Sequence, residues 1–157
     1  MRKVYMNGTL IDETEAKLSV YDSALMFGDM VFEMTRSFGG IQFKLEEHVD
    51  RLLIGAKILR IPLDISKNEM LDACYSVVDA NKENFADDDE HRLMIDISRG
   101  LLGIYHGIEG LHKGSNVIIA DFPLRWTVAG MSRLFDVGIN MVVTSQRAIP
   151  ASLMDPK

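Results

Sequence analysis

The hydrophobic period of the chain switches twice along its length, and that switch restricts the available folds more than any other feature. From Leu45 the apolar residues Val49, Leu52, Leu53, Ala56 and Leu59 recur at three and four residues, with Glu46, Glu47, Asp50 and Lys57 between them. This is the pattern of a helix with one buried stripe, ending before Pro62. Ser66 and Glu69 have the spacing of a capping box, and Met70, Leu71, Cys74, Val77 and Val78 carry a second helix to about Asn81. Two successive helices with strand-type sequence on both sides exclude a regular βαβ alternation. They predict a mixed α+β domain.

Turn residues mark the strands. Asn7-Gly8 lies between Val4-Tyr5-Met6 and Thr9-Leu10-Ile11, the strongest short-range hairpin signal. Phe32, Met34 and Arg36 alternate within 30–38, and Gly39-Gly40 then leads into Ile41-Gln42-Phe43-Lys44 as a second hairpin. Residues 92–98 and 116–122 are β-rich. Between the second helix and the first of these runs, Asp87-Asp88-Asp89-Glu90 reads as a solvated acidic loop, because its spacing matches no metal cage. Residues 123–130 read as a connector and 139–144 as a further strand.

Composition narrows the function classes. The chain has 157 residues, 47% hydrophobic and 25% charged, the balance of a folded domain. No apolar run approaches the roughly 18 to 20 residues that span a bilayer, so no membrane partner is expected. With 23 acidic against 17 basic residues and a net charge of −6, the chain would repel a phosphate backbone and holds no basic cluster, so nucleic acid is not expected either. Cys74 is the single cysteine, which rules out an intrachain disulfide and suits a cytoplasmic protein. The Met-Arg-Lys-Val-Tyr-Met start lacks the apolar core of a signal peptide.

His48 and Arg51, three apart, share a face of the first helix. Periodicity alone favours a solvated polar face with local ion pairs; the functional alternative makes Arg51 an anion anchor, since a guanidinium grips phosphate or carboxylate with two parallel hydrogen bonds. Ser98-Arg99-Gly100, continuing to Gly107, is a glycine-punctuated loop without the spacing of a phosphate-cradling motif. His106 and His112 in and beyond it read as polar surface groups, with no metal site expected. Met26, Met30 and Met34 read as core filler.

The segment Tyr21-Asp22-Ser23-Ala24-Leu25-Met26-Phe27-Gly28-Asp29-Met30-Val31-Phe32-Glu33, followed by Gly39-Gly40, Phe43, Leu45, Glu47-His48 and Asp50-Arg51-Leu52, resembles the class IV aminotransferases. These are the pyridoxal phosphate enzymes of fold type IV. The resemblance returns, in the family's order, at Ser98-Arg99-Gly100, at Arg147-Ala148-Ile149-Pro150 and at Asp155-Pro156-Lys157. It implies the small two-layer N-terminal domain of the D-amino acid aminotransferase-like fold over 1–122, an interdomain connector over 123–131, and the start of a larger C-terminal domain over 132–157. It also implies pyridoxal 5'-phosphate as cofactor, amino-group transfer between a branched-chain-type amino acid and a keto acid such as 2-oxoglutarate, and a homodimer.

Residue roles follow from the same resemblance. Arg51 holds the cofactor phosphate and His48 supports it. Phe32 faces the substrate pocket, as the phenylalanine of branched-chain enzymes rather than the tyrosine of D-amino acid enzymes. Tyr105 and His106 border the substrate, and Ile104 stands where D-amino acid enzymes have an arginine. Met30 and Met34 replace glycines and narrow the pocket. The family's Schiff-base lysine is expected two residues beyond Lys157, so Lys157 is not that lysine and no catalytic residue is assigned within the chain. A D-amino acid aminotransferase, an aminodeoxychorismate lyase and a non-catalytic dimerising or ligand-binding module are the alternatives. A second domain cut short would leave Ile139, Met141 and Val143 exposed.

Overall fold

In the computed structural model, which describes residues 1–145, β1 (Lys3–Met6) and β2 (Thr9–Asp12) form the first hairpin. Asn7 and Gly8 between them have φ of 49° and 95°, the left-handed pair that matches strand twist in a two-residue connection. A single turn, α1 (Ser23–Phe27), is capped by the Asp22 side chain. The second hairpin follows as β3 (Met30–Phe38) and β4 (Ile41–Gln42). Then come α2 (Leu45–Ile58) and α3 (Lys67–Asn81). At the start of α3 Glu69 N–H donates to Ser66 Oγ at 3.3 Å and Ser66 N–H to Glu69 Oε2 at 2.8 Å, the reciprocal bonds of a capping box. The strands β5 (His91–Ser98) and β6 (Asn116–Pro123) and the helix α4 (Leu124–Val137) complete the order.

All six strands join one antiparallel sheet in the order β2-β1-β6-β5-β3-β4. Alternation along each strand gives the sheet two unlike faces. On one, Val31, Ile95, Ile97 and Ile119 pack against Val49, Leu52 and Ala56 of α2 and Met70, Cys74 and Val77 of α3. Each such side chain contributes about 1.5–3 kcal/mol by leaving water, and this helix-covered face holds the core. The opposite face aligns Phe32 with Asp96 and Ile118, and Met34 with Met94 and Ala120. Met26 is exposed, Met30 and Met34 are half-buried, and none of the three belongs to the core; Met70 does. The period placed Met34 on the face that α2 and α3 leave uncovered, so core filling was the wrong reading for it.

The last third holds one helix and one corrected expectation. Residues 124–137, which take in most of the expected connector, are helical. One interior glycine, Gly130, costs a helix only about 1 kcal/mol, and Leu124, Val128, Met131 and Phe135 keep a helical period. The start of α4 is tethered to the sheet end. Arg125 pairs with Asp88 at 2.7 Å and Asp89 at 2.6 Å, Arg92 donates to Thr127 Oγ1 at 2.5 Å, and the Trp126 ring stacks on Phe122 beneath the Arg2 guanidinium. The strand expected over 139–144 is irregular chain, because a strand exists only where a neighbour takes its hydrogen bonds. Ile139, Met141 and Val143 are exposed, Val143 at 98%. The motifs Arg147-Ala148-Ile149-Pro150 and Asp155-Pro156-Lys157 lie outside the described residues.

Candidate functional site

α2 runs back over β3, and close approach between them sets the geometry of the site. Gly55 allows this approach: a Cβ there would lie 3.2 Å from Val31 Cγ1, tighter than a well-packed core accepts without a shift. About one and two turns earlier on α2, Arg51 and His48 reach Glu33 of β3. Glu33 faces the helices by strand alternation, and its side chain is 2% exposed. A buried carboxylate is costly unless paired and hydrogen-bonded, and Glu33 is both. Arg51 donates from Nε to Oε1 at 2.5 Å and from Nη2 to Oε2 at 2.7 Å. His48 Nδ1 lies 2.9 Å from Oε2 and 3.5 Å from Arg51 Nη2. The shorter contact, to an acceptor-only carboxylate, makes Nδ1 the proton-bearing nitrogen.

This arrangement fixes how the guanidinium is held. Glu33 takes the side-on edge of Arg51 through Nε and Nη2. The Arg51 side chain is 52% exposed while its partner is buried. Glu33 therefore supports the arginine from below and holds its plane and direction. No sequence role had been assigned to Glu33, although a signal existed. Val31, Glu33, Thr35 and Ser37 share a parity on β3, and a carboxylate in register with buried positions requires a cation from the next element.

The other expected site residues lie elsewhere. Phe32, next to Glu33, points to the opposite face of the sheet and is 44% exposed. Tyr105 and His106 sit in the loop after β5. The Tyr105 ring packs on Tyr21 with centroids 5.0 Å apart, and His106 Nε2 is 3.1 Å from the Leu101 carbonyl oxygen. That loop is held to the segment before β3 by Asp22, whose buried carboxylate accepts from Ala24 N–H at 2.8 Å, Ser98 Oγ at 2.9 Å and Asn116 Nδ2 at 2.6 Å. The structure thus brings Arg51 and His48 together around Glu33 and places Phe32, Tyr105 and His106 outside that cluster.

Elsewhere two buried titratable groups depart from their ordinary ranges. Burial pushes the Cys74 thiol up to about 12, which makes it an inert core group. Asp121 of β6 is pushed up to about 6 by burial, against the opposing pull of His91, whose Nδ1 is 2.7 Å from Oδ2. Among the described residues, no group of three or more His, Cys, Asp and Glu side chains is placed to hold a metal, and no helix is long and apolar enough to cross a membrane.

Comparison with known proteins adds an independent set of findings. A family model described as Amino-transferase class IV matches residues 30–156. A putative branched-chain-amino-acid aminotransferase of Methanocaldococcus jannaschii is 34% identical over 154 residues, 98% of this chain and 49% of that protein. The D-alanine aminotransferase of Staphylococcus haemolyticus is 33% identical over 81 residues, 52% of this chain and 29% of its own length. Among solved structures, the branched-chain amino acid aminotransferase of Escherichia coli superposes with a TM-score of 0.64 at 31% identity, covering 78% of this chain and 40% of that one. The branched-chain aminotransferase of the thermophilic archaeon Thermoproteus uzoniensis, solved with norvaline, gives 0.63 at 31% identity, covering 78% of this chain and 40% of its own. The chain spans about half the length of the M. jannaschii relative and less of the others.

Proposed function

The chain belongs to the class IV aminotransferase family, and from that premise we propose that it forms the cofactor-phosphate side of a pyridoxal 5'-phosphate-dependent aminotransferase. The reaction is amino-group transfer between a branched-chain-type amino acid and a keto acid such as 2-oxoglutarate, carried out by the full-length cytoplasmic homodimer. The observation that carries this reading is the Arg51 fork held on buried Glu33. A half-exposed guanidinium, held in plane by a buried carboxylate, is the kind of donor a phosphate monoester fits. The branched-chain assignment rests on relatives of that name matching nearly the whole chain, where the D-alanine enzyme of S. haemolyticus matches half.

In this reading each residue has a limited task. Arg51 binds the phosphate, Glu33 orients Arg51, and His48 holds Glu33 from the other side. Phe32 forms an apolar wall for the substrate side chain, while Tyr105 and His106 border it. Pyridoxal phosphate, when bound, supplies the electron sink for breaking the α-C–H bond. The same reading divides the chain into a small domain (1–122), a connector (123–131) and the start of a larger domain (132–157). In the full-length protein, Arg51→Ala is expected to remove a charge-assisted bidentate contact of about 1.5–3 kcal/mol, read as weaker pyridoxal phosphate binding in a titration of the apoenzyme. Undiminished affinity would sink the assignment of Arg51.

A further inference from the structure

Arg99 follows β5 directly, and its side-chain hydrogen bonds run to neither Arg51 nor Glu33. Its Nε donates to Asp29 Oδ2 at 2.5 Å and its Nη2 to Asp29 Oδ1 at 3.2 Å. Two further bonds run to main-chain carbonyls, from Nη1 to Arg60 at 2.7 Å and from Nη2 to Leu59 at 2.8 Å. Asp29 is the residue before β3, and Leu59 and Arg60 are the first two after α2. One guanidinium therefore fastens the end of α2 to the start of β3. It also meets carbonyls at the negative end of the helix dipole. The chain turns there with Arg60 at φ 55°, so the carbonyls that accept from Arg99 lie in a turn that continued helix would not supply.

Two arms of similar length run from this point to the phosphate anchor. Along α2, Arg51 lies eight residues before Leu59, about 12 Å at helical rise. Along β3, Glu33 lies four residues after Asp29, about 13 Å at strand rise. The arms meet again where Arg51 forks Glu33, and between the two ends a Cβ on Gly55 would lie 3.2 Å from Val31 Cγ1. A rotation of about 5° between α2 and β3 at the Arg99 end would displace Arg51 from Glu33 by about 1 Å, enough to break a two-bond fork. We propose that Arg99 is a positioning residue for the phosphate anchor: by pinning α2 to β3 through Asp29, it fixes the angle at which Arg51 is presented. This rests on the reading that Arg51 holds the cofactor phosphate.

The test uses the full-length enzyme and compares affinities for pyridoxal phosphate and for pyridoxal, which lacks the phosphate. Arg51→Ala measures how much of the preference for the phosphorylated form depends on the anchor. Arg99→Lys keeps a charge but cannot fork Asp29 while reaching two carbonyls, and Asp29→Asn cuts the pin from its other side. Both are expected to lower the preference about tenfold and leave pyridoxal affinity unchanged. If Arg51→Ala does not alter the preference, the reading of Arg51 falls. If Arg51→Ala collapses it while Arg99→Lys and Asp29→Asn retain the wild-type value, or weaken both ligands equally, the role given to Arg99 falls.

Discussion

The helix-covered face of the sheet holds two histidine–carboxylate pairs that look alike by distance and differ in everything else. His48 Nδ1 is 2.9 Å from Glu33 and His91 Nδ1 is 2.7 Å from Asp121; both carboxylates are almost wholly buried. Glu33 also receives the two-bond fork of Arg51. At Asp121 the second oxygen, Oδ1, is buried without a hydrogen-bond partner, and the His91 ring is stacked on Phe85 with centroids 4.5 Å apart. The carboxyl responds by holding its proton up to about pH 6. The two buried acids differ in the arginine fork, which Glu33 has and Asp121 lacks.

The contrast can be broken deliberately. Arg51→Ala would take from Glu33 the two-bond fork that Asp121 lacks. It is expected to destabilise the fold by about 3 kcal/mol, at the low end for a broken buried pair because Arg51 is itself half exposed. Urea denaturation measures this, and adding Glu33→Gln should restore most of the stability without restoring cofactor binding. Full stability in the single variant would show that Glu33 does not depend on the arginine.

A second way to sharpen the contrast uses pH. The folded Asp121 carboxyl is pushed up to about 6, above the ordinary value of 3.8. Its contribution to stability is therefore fully present below about pH 4 and is lost as pH rises through 6. Asp121→Asn, neutral throughout, should flatten that part of the stability–pH curve; an unchanged slope would assign the titration elsewhere. The smallest effects compare the histidines. His91→Ala takes from a buried carboxylate the side chain that hydrogen-bonds it and bares Phe85, an expected cost of about 2 kcal/mol, whereas His48→Ala, with Arg51 still in place, should cost about 1 kcal/mol or less. Equal costs would contradict the distinction between the pairs.

What the sequence revealed follows the range of the interactions. Both hairpins, α2, α3 and the capping box were legible because turn dipeptides and apolar period act within a few residues. Arg51 and His48 could be singled out for the same reason. Glu33 was missed because its partners lie 15 and 18 residues away on another element, and the alternation that drew notice on β3 was that of Phe32, Met34 and Arg36. The Asp22 network spans 76 and 94 residues and leaves only a local trace, an aspartate before a helical turn. For α4 the punctuation by Pro123 and Gly130 outweighed a weaker period. The segment 139–144 has strand composition but no neighbouring strand among the described residues, and composition alone could not report that.

Neighbouring residues of β3 face opposite sides of the sheet: Glu33 holds Arg51 and His48 on the helix-covered side, and Phe32 stands on the other. The strand therefore works as a parity code. An insertion or deletion of one residue between Gly28 and Phe32 would exchange odd and even positions, turning a carboxylate to the uncovered face and a phenyl ring toward Arg51. A change of two residues would preserve parity and shift only the register. Errors of odd length in this strand would undo the Arg51 fork and turn Phe32 into the core at once, and those of even length would leave each residue on its proper side.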